Sequence, residues 1–320
     1  MGKKVLVIRL GAIGDVVETT GLVRALKKSG MSVDYLTGKF PAQLLREDSD
    51  INNLFIFEKK DYSYIFDLGL KLRKQKYDVI LNLQPSLRLK TLCFLAGAKK
   101  VVNYKKSYKF HAVENFFETG KIAFSQLKLD KNINLHIDKN IKERMDLKLE
   151  QKLRICFNTG ANSSRQGRKW CIDYWAQLAK LILDKYDAQI FVIGSNEDVK
   201  NADELVEKVP EVKSFAGQTS LEETVALLSC ADIVISGDTG PLHIASATGA
   251  VCIGLYGCCS FSRSGPYGEK HFVISSDLSC SPCDKRTCRF LNSDVDDAPC
   301  MRAIKPEKVL NLVDNIILQK

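Results

Sequence analysis

No apolar run in these 320 residues approaches the roughly 20 that a bilayer-spanning helix needs. The N-terminus, MGKKVLVIRLGAIGD, also lacks the long apolar segment of a signal peptide, because Arg9 interrupts it soon after the lysines. These two absences lead us to expect a cytoplasmic protein. No short repeat recurs along the chain. Nor is the sequence short of core-forming residues: 45% hydrophobic and 27% charged is ordinary globular composition, which argues against disorder. The second half has no basic excess. Residues 1–150 hold 28 Lys and Arg against 17 Asp and Glu, a net +11, and the remainder holds 19 against 21. A positive field confined to one half suits an anionic partner such as a phosphorylated lipid, a membrane surface or nucleic acid, and equally describes a lysine-rich solvated face.

At this length two domains are expected. In the first half, KKVLVIRL, VVETTGLVRALKKSG, MSVDYLT and YDVILNL alternate short apolar runs with amphipathic stretches, the rhythm of βαβ units. KKVLVIRL and YDVILNL are nearly continuous apolar runs, as strands buried on both faces require. The segment DKNIKERMDLKLEQK, near residues 138–152, is charged and carries no strand signal, so it reads as a linker or linking helix. RICFNTG then restarts the pattern, which runs through AQIFVIGS, DIVISGDTG and AVCIGLYG. The expectation is an α/β protein with one Rossmann-like domain over 1–150 and another over 151–320. KPEKVLNLVDNIILQK, with Pro306 near its start and Val309, Leu310, Leu312, Val313, Ile316 and Ile317 at helical spacing, predicts a terminal helix packed on a domain.

Ligands of such sheets bind beyond the carboxyl ends of the strands, so three turns matter most. Gly11-Ala12-Ile13-Gly14-Asp15 follows the first strand and opens a helix expected near Val16. It lacks the third glycine of a dinucleotide fingerprint and puts an acid where a pyrophosphate would approach, which argues against NAD. Asp15 is a candidate base, or simply a helix N-cap. Asn158 to Trp170 is a polar, donor-rich loop in which Lys169, beside Trp170, is placed to meet phosphate oxygens; a solvated basic loop is the alternative. Ser236 to His243 joins a strand to a helix. Thr239 and Gly240 offer backbone N–H groups, Pro241 suits a first helical turn, Asp238 either caps or orients a hydroxyl, and His243 either packs or meets ligand.

These turns, in this order, resemble glycosyltransferase family 9, the heptosyltransferases, over nearly the whole chain. The carriers are the GxxGD turn at Gly11 to Asp15, the Lys169-Trp170 pair and the D-T-G-x-x-H run from Asp238 to His243. The resemblance implies the GT-B architecture, two facing Rossmann-like domains with a cleft between them. It also implies transfer of heptose from ADP-heptose to a lipopolysaccharide inner-core acceptor, with inversion. Asp15 would be the general base. Thr159 and Lys169 would meet the donor diphosphate, Thr239, Gly240 and Pro241 would cradle it, and Asp238 would position the sugar, with His243 nearby and Glu197 near ribose or base. The first domain would hold the anionic acceptor, with contacts from Gly14 and from Arg88, Lys90, Lys105 and Lys106 in two basic segments. No catalytic cofactor is implied, and contact with the inner face of the inner membrane would be peripheral.

Eleven cysteines in a reducing compartment do not suggest a disulfide framework. Cys280, Cys283, Cys288 and Cys300 supply four soft ligands, enough for a structural Zn or Fe site; reduced thiols and a disulfide are the other readings. Similar C-x-P-C clusters occur in family members that act on proteins, so a protein acceptor stays open, as does another nucleotide sugar. A nucleotide-binding module without turnover is a rival of a different class. Nucleic-acid binding has only the basic half in its favour, without a recognition motif or aromatic platform, so no nucleic acid is expected.

Overall fold

The first strand, β1 (Lys4–Ile8), is the run KVLVI, buried at every residue after Lys4, as a strand covered on both faces must be. A computed structural model describes residues 2–59, 61–129, 133–160, 166–291 and 298–319. The chain divides into two units, Met1–His136 and Ile137–Lys320.

In the first unit β1 lies beside β2 (Ser32–Gly38) and β4 (Val79–Asn82), with β3 (Asn53–Phe57) and β5 (Lys100–Asn103) at the edges. All pairings are parallel, in the order β3-β2-β1-β4-β5. The helices are α1 (Ile13–Glu18), α2 (Thr20–Lys28), α3 (Tyr62–Arg73), α4 (Leu87–Ala96) and α5 (Ala112–Ala123). On one face of the sheet Ile65, Leu68 and Leu72 of α3 and Leu89, Leu92 and Ala96 of α4 pack with Leu6, Ile8, Leu36 and Ile80. Asp61 and Ser86 cap α3 and α4 through their side chains, each accepting a backbone N–H three residues on.

The second sheet repeats the plan with one more strand. β6 (Leu153–Asn158) lies between β7 (Ala188–Ile193) and β9 (Ile233–Gly237); β8 (Lys213–Ser214) flanks β7, and β10 (Val251–Tyr256) and β11 (Phe272–Ser275) extend the other side. The order β11-β10-β9-β6-β7-β8 is again entirely parallel. The helices run from α6 (Lys139–Asp146), α7 (Ile172–Lys185), α8 (Val199–Lys208), α9 (Leu221–Cys230) and α10 (Gly240–Ser246) to the short α11 (Phe261–Ser264) and α12 (Pro299–Arg302). The terminal α13 (Pro306–Leu318) buries Val309, Val313 and Ile316, and Asp314 holds it to the end of α7 through Lys185 (2.7 Å) and the Tyr186 hydroxyl (2.6 Å).

Each sheet therefore reverses direction once, between β1 and β4 and between β6 and β9, the switch points where α/β folds bind ligands. The charged segment near 138–152 carries α6, which packs on α9 within the second unit, so the division falls ahead of residue 150. The charge asymmetry is unaffected: residues 1–136 hold 24 Lys and Arg against 13 Asp and Glu, again +11.

At the outer side of the second sheet His271 accepts a hydrogen bond from the Cys252 N–H (3.2 Å). Burial, with help from the Lys270 charge, pushes its imidazole down to about 4. The folded state thus resists protonating it, so its stabilising effect is complete above the ordinary histidine value and is lost as pH falls from about 6.5 toward 4. We expect unfolding free energy to drop by up to about 3 kcal/mol across that window, at about 1.4 kcal/mol per unit. Denaturant titrations of the wild type and His271→Gln at pH 7 and pH 4.5 check this; the variant should lose less.

Candidate functional site

At the first switch point the chain leaves β1 through Arg9, Leu10 and Gly11 and enters α1 at Ile13. Ala12, in extended conformation, is the N-cap, and no side chain caps this helix. Asp15 is the third helical residue. The N-cap role considered from sequence is therefore not the one it fills, because the helix begins three residues earlier than expected. Its carboxylate pairs with the Arg9 guanidinium, their side chains being 30% and 12% exposed. Arg9 also donates to the Leu83 carbonyl (2.8 Å) and lies over the Phe116 ring at 5.3 Å, so it is held from three sides. The carboxylate is thereby fixed in direction and still open to solvent. Gln84 ties the neighbouring β4 turn to this one by accepting the Leu10 N–H (3.0 Å), and a Cβ on Gly11 would meet only open space.

Gly14 is buried in α1. Arg88 and Lys90 are exposed on the first turn of α4, which follows directly from the Gln84 turn. Lys105 and Lys106 are exposed beyond β5, with Lys106 over the Tyr108 ring at 4.6 Å. The fold thus places every basic candidate on the same carboxyl edge as Asp15, although Arg88, Lys90, Lys105 and Lys106 lie one or two strands away from its turn.

At the second switch point Asn158, the last residue of β6, donates to Ser236 Oγ (2.9 Å) and Thr239 Oγ1 (2.8 Å), locking the β6 and β9 turns together. Thr159 is buried, and its Oγ1 has no hydrogen-bond partner among the described residues. Residues 161–165 of this loop lie outside the described residues. Gly160 sits where a Cβ would fall 2.5 Å from the Asp198 carboxylate, so the β7 turn adjoins this one. There Ser195 and Asp198 form a capping box, and Glu197 is exposed beside it.

Asp238 is 5% exposed and does not cap α10. Its Oδ2 is 2.6 Å from the Arg168 guanidinium, in an ion pair without a well-aligned hydrogen bond. His243, also buried, has Nε2 at 3.8 Å from Asp238 Oδ1. Burial works to raise the Asp238 carboxyl, but hydrogen bonding to His243 and the Arg168 charge outweigh it and hold the group below the usual carboxylate range. Thr239 is the N-cap of α10, with Gly240 and Pro241 as its first two residues. Lys169 is half-buried at the foot of the loop. Its neighbour Trp170 anchors the backbone, donating to the Ile304 carbonyl (2.9 Å) and packing edge-on against Trp175 (4.9 Å between centroids).

Over residues 65–293 the sequence matches the model of glycosyltransferase family 9 (heptosyltransferase). The chain belongs to this family. It is 25% identical to the lipopolysaccharide core heptosyltransferase OpsX of Haemophilus influenzae, over 85% of this chain and 84% of that protein. It is 23% identical to lipooligosaccharide heptosyltransferase 2 of Campylobacter jejuni, over 95% of each. Among solved structures, ADP-heptose lipopolysaccharide heptosyltransferase II of E. coli superposes with a TM-score of 0.80 at 20% identity, covering 99% of both chains. The fold is accordingly the GT-B type with two Rossmann-like domains, and the protein is a glycosyltransferase.

Two elements of this glycosyltransferase were not singled out from sequence. Arg9 and Arg168 each hold a candidate carboxylate, and the local signals were a charge closing an apolar strand run and a second cation before Lys169-Trp170. All eleven cysteines are free thiols, and among the described residues no three Cys, His, Asp or Glu side chains are arranged to hold a metal ion. Cys280, Cys283, Cys288 and Cys300 line a pocket of about 190 Å³ together with Cys258. Cys300 is buried and Cys283 exposed, so the sulfurs sit at different depths on its walls. Burial pushes the Cys300 thiol up to about 11. The pocket also adjoins the Asp238 network, since its lining residues Gly167 and Cys258 immediately precede Arg168 and Cys259, whose side chains are bonded at 3.2 Å.

Proposed function

We propose that this family 9 transferase moves a heptose from ADP-heptose to an anionic lipopolysaccharide inner-core acceptor, inverting the anomeric carbon. The first domain holds the acceptor and the second the nucleotide sugar. The observation that carries this reading is the partly exposed Asp15 carboxylate, held by Arg9 at the switch point of the +11 unit. The likeness to an ADP-heptose enzyme supports the donor, and the net positive charge supports an acceptor bearing carboxylates or phosphates.

As the acceptor oxygen bonds to the anomeric carbon, Asp15 takes its proton and the bond from that carbon to the diphosphate oxygen breaks. Negative charge then grows on the departing ADP. Lys169, the Thr159 hydroxyl and backbone N–H groups at Thr239 and Gly240 stabilise it. Asp238, oriented by Arg168 and His243, positions the sugar hydroxyls, and Glu197 meets the nucleoside end.

Product analysis with purified protein, an inner-core acceptor and a panel of nucleotide sugars tests the proposal. Transfer from ADP-heptose with inverted configuration is expected, and transfer only from another sugar nucleotide would refute the donor. For Lys169→Ala we expect donor affinity or turnover to fall by about 10- to 150-fold, the equivalent of a charge-assisted contact worth about 1.5–3 kcal/mol. Unchanged ADP binding by calorimetry together with an unchanged rate would remove Lys169 from the site.

A further inference from the structure

We propose that the outer face formed by α3 and α4 docks on the surface of an anionic lipid bilayer. This rests on the reading of the acceptor as lipid-linked and names the surface on which it would be met. The two helices bury their inner faces against the sheet and lie side by side, since a Cβ on Gly69 would fall 2.5 Å from Leu95 Cβ. Their outer faces do not follow the usual polar pattern. On α4, Leu87 and Phe94 are seven residues apart, hence on one helical face, and are 74% and 82% exposed. On α3, Phe66 and Leu70 are four apart and are 52% and 40% exposed. Side chains of this kind projecting together into water mark an interaction surface.

The charge around them selects the occupant. α3 carries Lys71 and Arg73 in its last turn with one acid, Asp67, and α4 holds Arg88 and Lys90 with no acid. Apolar side chains projecting from a basic surface helix match the boundary between anionic headgroups and acyl chains. A second copy of the chain fits poorly, because a two-fold contact would set this positive face against itself. Position agrees with the function. α4 starts three residues beyond Gln84, whose side chain is bonded to the turn leading to Asp15, so docking here brings the proposed base close to the bilayer surface.

The test is co-sedimentation of the full chain with vesicles of phosphatidylcholine alone or mixed with phosphatidylglycerol. We expect binding to the mixed vesicles, weakened by salt, and little binding to phosphatidylcholine. Leu87→Gln/Phe94→Gln should lower vesicle affinity by about tenfold or more while leaving the circular dichroism spectrum and the unfolding midpoint of the first unit unchanged, which shows that the variant is folded. Vesicle binding does not depend on catalysis, so this outcome is separable from failure of the transferase reading. The proposal is overturned if the wild type ignores anionic vesicles, binds both kinds alike, or is unaffected by the double substitution. It is also overturned if the wild type self-associates through this face and the substitutions release monomers.

Discussion

Asp15→Asn is expected to leave a folded protein that binds ADP as the wild type does and transfers sugar roughly 10²- to 10⁴-fold more slowly. The amide keeps the shape of the carboxylate but cannot accept the acceptor's proton. Capping is not at stake, because Ala12 and not Asp15 is the N-cap of α1. What the folded state loses is one arm of the Arg9 arrangement, and Arg9 keeps the Leu83 carbonyl and the Phe116 ring. Donor affinity is the internal control, since the proposed donor groups belong to the other unit. Single-turnover transfer assays separate the chemical step from binding. Near-normal transfer by the stably folded variant would move the base elsewhere and leave Asp15 as the partner of Arg9.

Arg168→Met should cost about 3–5 kcal/mol of stability, because it strands the Asp238 carboxylate in a site only 5% exposed. The sign of the pH dependence provides a second readout. In the wild type Asp238 is held below the usual carboxylate range, so its contribution is present at neutral pH and disappears only as pH falls below about 4. Without Arg168 burial is opposed less, and acid destabilisation should begin at higher pH. Denaturation midpoints at several pH values, for Arg168→Met and for Arg168→Met/Asp238→Asn, check both points. The double variant should recover part of the loss, since no buried charge is then left unpaired. If the two variants are equally unstable, the effect lies in packing against Cys259 and not in charge.

The central strands were legible because continuous apolar runs are a local property of the chain: β1, β4, β6, β7, β9 and β10 all fall in segments with that pattern. The four strands that sequence did not single out, β3, β5, β8 and β11, are the four sheet edges. An edge strand is covered less, so it needs no such run, and β3 and β5 each leave residues exposed.

By itself the sequence determined the two Rossmann-like units, the concentration of positive charge in the first, and the turns that carry Asp15, Lys169 and Asp238, because apolar period, composition and turn residues are written locally. Tertiary structure alone decided which side chains meet there. Asn158 bonds to Thr239 across 81 positions and Arg168 to Cys259 across 91, and these contacts exist only once parallel pairing has set β6 beside β9 and β9 beside β10. The reach of a side chain is a few ångströms, so partners that far apart along the chain are selected by strand order and register, which no local pattern encodes.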